Sequence, residues 1–450
     1  MGQDRAIWAF ALAFTAFAAS PTSAAAQLGE DGSAIDTSDY TIDMYTGVVQ
    51  GGAQMIGLGG AFVAIAEGVD GNLVNAATAA YRPGYSVDHF DYWLGFAFSA
   101  PFSVGDFYNT GGFSSEAGFD QSGFTYLAPA LNLQWGPFGV GATLEIQTAR
   151  INSQGDAADD DDDASIRFQF LKLRLQAAYQ FLEGQLIVGI GGIVLVQRAL
   201  GGQNILDEEQ LYVTEGVGYE VGLIYRPNRR HYRLAAAFEG PIETGATDDG
   251  DVIENEFYLP RSVYKPWETR LGFAYQFGGR PLNPVWRNVD QVVQAEVGDL
   301  WESMSSDERA LYTKETWRRL RREFRAQARR YLLISTALHI VGQSRDAVSV
   351  ESFLTQRVQH SGDDLSLSPR WGLETELIPN WVRLRSGAYV EPSRVDLTNP
   401  RFHYTVGLDF KVGWWDVMGV WSEDYLWRLG LSMDVARDYF VGSIGIGGWY

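Results

Sequence analysis

Residues 402–412 read Phe402-His403-Tyr404-Thr405-Val406-Gly407-Leu408-Asp409-Phe410-Lys411-Val412, with a large apolar side chain at every second position. In a strand, Phe402, Tyr404, Val406, Leu408, Phe410 and Val412 fall on one face, and His403, Thr405, Gly407, Asp409 and Lys411 on the other. Residues 425–435 repeat the pattern, setting Tyr425, Trp427, Leu429, Leu431, Met433 and Val435 against Arg428, Gly430, Ser432 and Asp434. A soluble sandwich also alternates, but its strands usually run about 5–6 residues. These runs reach the roughly 9–11 residues that a tilted strand needs to cross a bilayer. Aromatic residues stand at the ends of the apolar faces, where a membrane girdle would lie. The expected fold class is an all-β membrane protein, an antiparallel transmembrane barrel.

Outward from these two strands, the same alternation marks 88–100, 124–135, 138–150, 166–181, 185–197, 217–226, 231–239, 267–277, 331–341, 370–378, 381–391 and 439–450. The expected count is about 14, even as in bacterial barrels. Short connections at Gly136-Pro137, Leu182-Glu183-Gly184, Pro227-Asn228 and Pro379-Asn380 belong to the periplasmic side. Long ones at 101–123, 151–165, 198–216, 240–266, 342–369 and 392–401 belong outside. The alternation of lengths fails near the end, with a tight Arg437-Asp438 turn outside and a long 413–424 segment on the periplasmic side. The chain ends on Trp449-Tyr450 after an amphipathic strand, which resembles the assembly signal of outer-membrane barrels.

Composition narrows the alternatives. The 450 residues are 46% hydrophobic and 14% aromatic, with 50 Gly, no Cys and a formal net charge of -21. So many aromatic and β-branched residues exclude a disordered acidic chain. No run of about 18 apolar residues exists for a helical span. Phosphate binding needs a basic face, so no nucleic-acid partner is expected. Without Cys there is no disulfide framework and no thiol chemistry.

Residues 1–26 read as a secretory signal: Ile7–Ala19 is apolar but too short to span, Pro21 breaks it, and Ala24-Ala25-Ala26 offers a cleavage site. The expected organisation is a signal peptide at 1–26, an N-terminal segment at 27–86, and a barrel at 87–450 carrying an insert at 286–330. The expected location is the cell outer membrane.

Residues 47–83 do not alternate. Gly57-Leu58-Gly59-Gly60 leads into Ala61-Phe62-Val63-Ala64-Ile65-Ala66, then Asp70-Gly71-Asn72-Leu73-Val74-Asn75-Ala76-Ala77. Elementary chemistry says that the glycines permit tight turns and the apolar run fills a lumen. No GxGxxG and no Lys-Ser/Thr follows, so a phosphate-binding loop does not fit. The segment resembles the N-terminal hatch of the FadL-type long-chain fatty acid transporter superfamily, which includes the shuttle barrels of type IX secretion. That family's pattern is a Gly-Leu-Gly-like turn, an Ala-Phe-Val-Ala run, an acidic-Gly-Asn step and Asn-Pro-Ala. Here Asn75-Ala76-Ala77 stands at the last step, so one backbone N–H is freed and one φ angle relaxed. The resemblance implies a barrel plugged by its own N-terminus, with Gly57, Gly59, Phe62, Ile65, Asn72, Leu73 and Asn75 as hatch and ligand residues. It implies passive, hatch-gated uptake of a hydrophobic small molecule, fatty-acid-like or aromatic. The alternative is a non-transporting scaffold or shuttle that binds exported proteins.

If apolar residues face lipid, the inward set includes Glu145, Lys172, Arg174, Glu220, Arg233, Glu239, Glu268, Arg270, Glu374, Glu376, Arg383, Arg385, Asp409, Lys411, Arg428 and Asp434. Both signs mix, so cross-strand ion pairs holding the hatch are expected rather than an ion-selective path. No catalytic motif is present, and the five histidines, His89, His231, His339, His360 and His403, form no metal signature. We expect no enzyme activity, no cofactor and no metal.

Asp156 and Asp159–Asp163 crowd one outer loop; Asp248, Asp249, Asp251, Glu254 and Glu256 crowd another. These are solvated loops or carboxylates bridged by divalent cations to lipopolysaccharide. At 286–330, Val289, Val293, Val297, Leu300 and Met304 recur at helical spacing, and Ser305–Glu308 is a capping box before Leu311, Trp317, Leu320 and Phe324. Its second helix is rich in arginine. Periplasmic placement and a helical hairpin are expected, with anionic lipid or a periplasmic protein as partner.

Overall fold

Fourteen antiparallel strands close into a barrel in the computed structural model. The model describes residues 28–449 apart from 85, 105, 111–118, 154–164, 202–208, 245–252, 255–256, 345 and 414–425. The first seven are β1 Phe90–Val104, β2 Phe119–Trp135, β3 Phe138–Ser153, β4 Ser165–Phe181, β5 Leu186–Gly201, β6 Glu209–Tyr225 and β7 Tyr232–Glu239. The second seven are β8 Glu268–Gly278, β9 Tyr331–Val341, β10 Ser366–Ile378, β11 Val382–Glu391, β12 Arg401–Gly413, β13 Trp427–Ala436 and β14 Tyr439–Gly448. Every strand pairs with its sequence neighbours, and β1 closes on β14 from Phe96↔Ile446 upward. The expected signal peptide, the terminal Tyr450 and most of the acidic loop residues (Asp156, Asp159–Asp163, Asp248, Asp249, Asp251 and Glu256) lie outside the described residues.

The period-two pattern decides which way each side chain faces. On β12, Tyr404 is 66% exposed and Val406 43%, while His403 and Thr405 are 0% and 1%. Aromatic pairs mark two levels on the outside. Phe90–Trp135, Tyr179–Phe181 and Tyr275–Phe277 stand at the end where β1 begins and β14 finishes. Phe102–Phe440, Phe402–Tyr404, Tyr219–Phe238 and Phe238–Trp267 stand at the other. Such girdles flank the apolar band of an outer-membrane barrel. The end with the strand termini and tight turns is periplasmic by the same rule. The uneven lengths at 413–424 and Arg437-Asp438 leave the fourteen-strand count intact.

Along β4 the polarity inverts without any change of period. In its lower half Leu171, Leu173 and Leu175 point out while Lys172 and Arg174 point in. In its upper half Arg167 and Gln169 point out while Phe168 and Phe170 are buried inside. β2 to β6 have 16 or 17 residues each, far more than a bilayer requires. Their upper parts therefore stand in water, with an apolar interior.

That interior is filled by the chain itself. A short strand at Thr41–Asp43 pairs in parallel with Ser262–Tyr264 and with Ala347–Val348, so two outer loops fold inward onto the N-terminal segment. Below it run helix α1 (Ala53–Gly57), helix α2 (Gly68–Val74) and a 3-10 turn at Ala76–Ala80, all inside the barrel. The periplasmic insert forms α3 (Val289–Val297), α4 (Leu300–Ser303) and α5 (Ser306–Arg325). The first expected helix is broken in two, because Gly298 takes φ +53 at the C-cap of α3. The Ser305–Glu308 capping box forms as the spacing expects.

Candidate functional site

The hatch is seated on glycine. A Cβ added to Gly139, Gly189, Gly222 or Gly272 on four wall strands would stand 2.0–2.4 Å from Ala79, Ala76, Asn75 or Val63 respectively. On β11, one added to Gly387 would stand 2.3 Å from the nitrogen of Gly59, and Gly59 itself takes φ +60 against the backbone of Ala388. Backbone meets backbone there, which only glycine allows.

The expected hatch residues Phe62, Ile65, Asn72, Leu73 and Asn75 are all buried, as is Gly57 beside Arg385 and Gly407. Their apolar surface is taken up by wall and hatch. Asn72 donates to Asn132 at 2.7 Å and to Thr143 at 3.3 Å, and its carbonyl accepts from Gln176 at 2.7 Å. Asn75 donates to the carbonyls of Val63 and Leu223 and accepts from the Ala77 N–H at 3.0 Å, capping the 3-10 turn. Its extended backbone, φ -157 and ψ 113, is the conformation that a following proline would impose. The side-chain cap supplies what the absent proline would have restricted. Asp70 joins the two halves of the hatch, its carboxylate accepting from Gly52 N–H at 2.6 Å and Met55 N–H at 3.2 Å. Burial raises its pKa, partly opposed by those N–H groups and by Arg428 and Arg385.

The inward charges pair as expected and reach further than adjacent strands. Arg174 binds Glu145 and Glu220 at 2.6 Å and Glu239 at 3.0 Å. Lys172 and Lys265 also hold Glu239, and Glu268 is shared by Lys265, Arg270 and His339. Arg385 bridges Glu374 at 2.5 Å and Asp409 at 2.7 Å; Arg428 joins Asp409 to Gln54 of the hatch. Arg383 lies 3.6 Å from Glu376, and Arg233 anchors the hatch through Ile65 O and Glu67. Asp434 pairs with His403, which also meets Glu391. Lys411 departs from the pattern: its ammonium lies over the Trp381 ring near the periplasmic rim. With signs matched this closely, the lumen wall offers no ion path of one charge among the described residues.

Two features escaped the sequence reading. Asp43, buried near the outer mouth, accepts from Arg394 at 2.6 Å, Ser361 at 2.9 Å and Ser344 at 2.8 Å, pinning three segments together. A cavity of about 50 Å³ lies between hatch and insert, lined by Ile65, Tyr81, Leu282, Phe324, Tyr331 and Leu333, with Arg233, Arg280 and Arg383 around it. No sequence signal marks the cavity; the inward glycines, of which Gly222, Gly272 and Gly387 stand two positions from a charged residue, could have marked part of the seat.

No protein-family model matches the chain, and no curated protein matches its sequence. Solved structures do resemble it. The CymD monoaromatic hydrocarbon channel aligns with a TM-score of 0.50 at 12% identity, covering 90% of this chain and 97% of that one. A Pseudomonas aeruginosa FadL homologue aligns with a TM-score of 0.50 at 10% identity, covering 90% and 98%. A TodX monoaromatic hydrocarbon channel mutant aligns at 0.48 and 11% identity, covering 84% and 94%. At these identities the likeness shows the fold alone: a closed fourteen-stranded barrel like that of CymD and the FadL homologue, with the N-terminal segment threaded through the lumen.

Proposed function

We propose that the barrel takes up hydrophobic small molecules, fatty-acid-like or aromatic, by a passive route gated by the hatch. The observation that carries this reading is the inversion on β4. Phe168 and Phe170 turn inward where the strand stands in water, joining Tyr40, Tyr212, Val263 and Phe353 in one apolar cluster. A general pore has a polar, water-filled interior; here a packed aromatic cluster stands above an apolar hatch. The named neighbours that are hydrocarbon channels support the same substrate class. The cavity under the hatch is about 50 Å³, well below the roughly 150 Å³ that holds benzene in a protein core. On this reading the hatch shifts for a ligand to pass. No catalytic role is assigned.

The close burial of the described hatch residues against the wall favours a second reading, a scaffold that binds exported proteins. A single experiment separates the two. A Cβ at Gly445 would lie 3.6 Å from that of Ala53, within disulfide range, and the chain has no other cysteine. Cells carrying Ala53→Cys with Gly445→Cys are expected to lose uptake of a labelled aromatic hydrocarbon or fatty acid when oxidised and regain it on reduction. Uptake equal in both states would remove the gated route.

A further inference from the structure

Helix α5 has two unlike faces. Thr316, Leu320 and Phe324, four residues apart, are its buried positions. Leu320 packs with Val87, Val289 and Val293, and Phe324 lies against Gly84 and Pro284 and forms part of the cavity beneath the hatch. Trp317 donates to Asp88 at 3.1 Å, and Arg319 binds Glu296 at 2.6 Å, so the helix is fixed across the periplasmic mouth. Half a turn away, Leu311, Lys314, Arg318 and Arg322 are exposed on one stripe. Leu311 is 60% exposed.

The stripe is basic in a chain whose net charge is -21. From Lys314 to Arg325 there are six cations and two carboxylates, Glu315 and Glu323, and Glu323 is held by Arg287 at 2.8 Å. The open surface of the helix beside the stripe carries Tyr312, Glu315, Arg319, Arg321 and Arg325 as well. Arg321 stacks 4.0 Å over the Trp317 ring, stiffening that surface. Because the buried face packs on residues 84–88 and on α3, the basic face is turned away from them.

We propose that this face docks an acidic surface of a soluble periplasmic protein, seating it close to the cavity beneath the hatch. The complementarity is of charge, with Leu311 as an apolar contact at one end of the stripe. Phe324 occupies the opposite side of the same helix, so the docked protein stands one helix diameter, about 10 Å, from the cavity. The docking does not depend on which ligand the barrel carries.

The test uses the full barrel in zwitterionic nanodiscs, with fluorescent poly-L-glutamate as the acidic probe. Binding is expected at low salt, weakening as salt rises. Arg318→Glu with Arg322→Glu is expected to lower affinity about tenfold. Arg229→Glu with Arg230→Glu, on another periplasmic turn, is expected to change it little. Heat-modifiable migration verifies folding, and Lys314→Glu with Arg318→Glu gives a second reversal. Equal loss from both pairs of sites, or no loss from either α5 variant, would overturn the proposal. So would phosphatidylglycerol vesicles or isolated peptidoglycan binding where polyglutamate does not.

Discussion

Gly57 of the hatch and Gly407 of β12 approach so closely that a Cβ built on either would stand 3.0 Å from the Cα of the other. Overfilling a tight contact costs about 1–3 kcal/mol, and the hatch, held by many such contacts, is the part free to yield. Gly407→Val is therefore expected to leave a heat-modifiable barrel that admits antibiotics too large for ordinary pores. Gly192→Val, where an added Cβ meets nothing within 4 Å, is the matched control. Growth inhibition by a large glycopeptide antibiotic checks both.

Arg174 is buried among three carboxylates from β3, β6 and β7. Removing the cation from such a cluster leaves uncompensated buried charge, typically about 3–5 kcal/mol. Arg174→Met is expected to lower the urea midpoint for unfolding in micelles, and pairing it with Glu220→Gln is expected to restore part of the loss.

Asn75 already holds the extended backbone that proline prefers before it. Ala76→Pro is expected to be neutral or to stabilise by about 0.4–1 kcal/mol. Asn75→Ala removes the cap and two donors and is expected to cost about 1–2 kcal/mol. Thermal melts of the purified barrel distinguish the two signs.

For Asp70 the pH dependence has a definite direction. Burial raises its carboxyl above the ordinary range, while in a released hatch it would return to about 3.9. Between those values the seated hatch holds a proton that the released one has lost. The contribution of Asp70 thus favours the seated hatch below this window and is lost as pH rises through the raised value. Labelling of Ala53→Cys by a thiol probe is expected to slow on acidification, more in the native background than with Asp70→Asn.

The strands were legible because the bilayer imposes one rule on every outward position, visible in residues 402–412. The hatch was legible from Gly57–Ala77 because it lacks that alternation. What stayed hidden depends on depth and distance. Arg167-Phe168-Gln169-Phe170 alternates just as Leu171–Leu175 does, so period alone misses the inversion where the strand leaves the membrane. The parallel pairing of Thr41–Asp43 with residues 262–264 and 347–348 joins segments more than 200 positions apart, with no local signature. The charges were read as neighbouring pairs, yet Arg174 reaches Glu239 across the lumen from β4 to β7.

Thr41–Asp43 lies at the outer mouth, whereas β1 begins at the periplasmic one. Between them the chain runs the whole length of a ring that it also forms, like a cord passed through its own closed loop. Once the β1–β14 ladder is hydrogen-bonded, and residues 262–264 and 347–348 have paired with Thr41–Asp43, that cord is enclosed. The consequence expected for insertion is an order in which the N-terminal segment lies in place before the seam between β1 and β14 shuts.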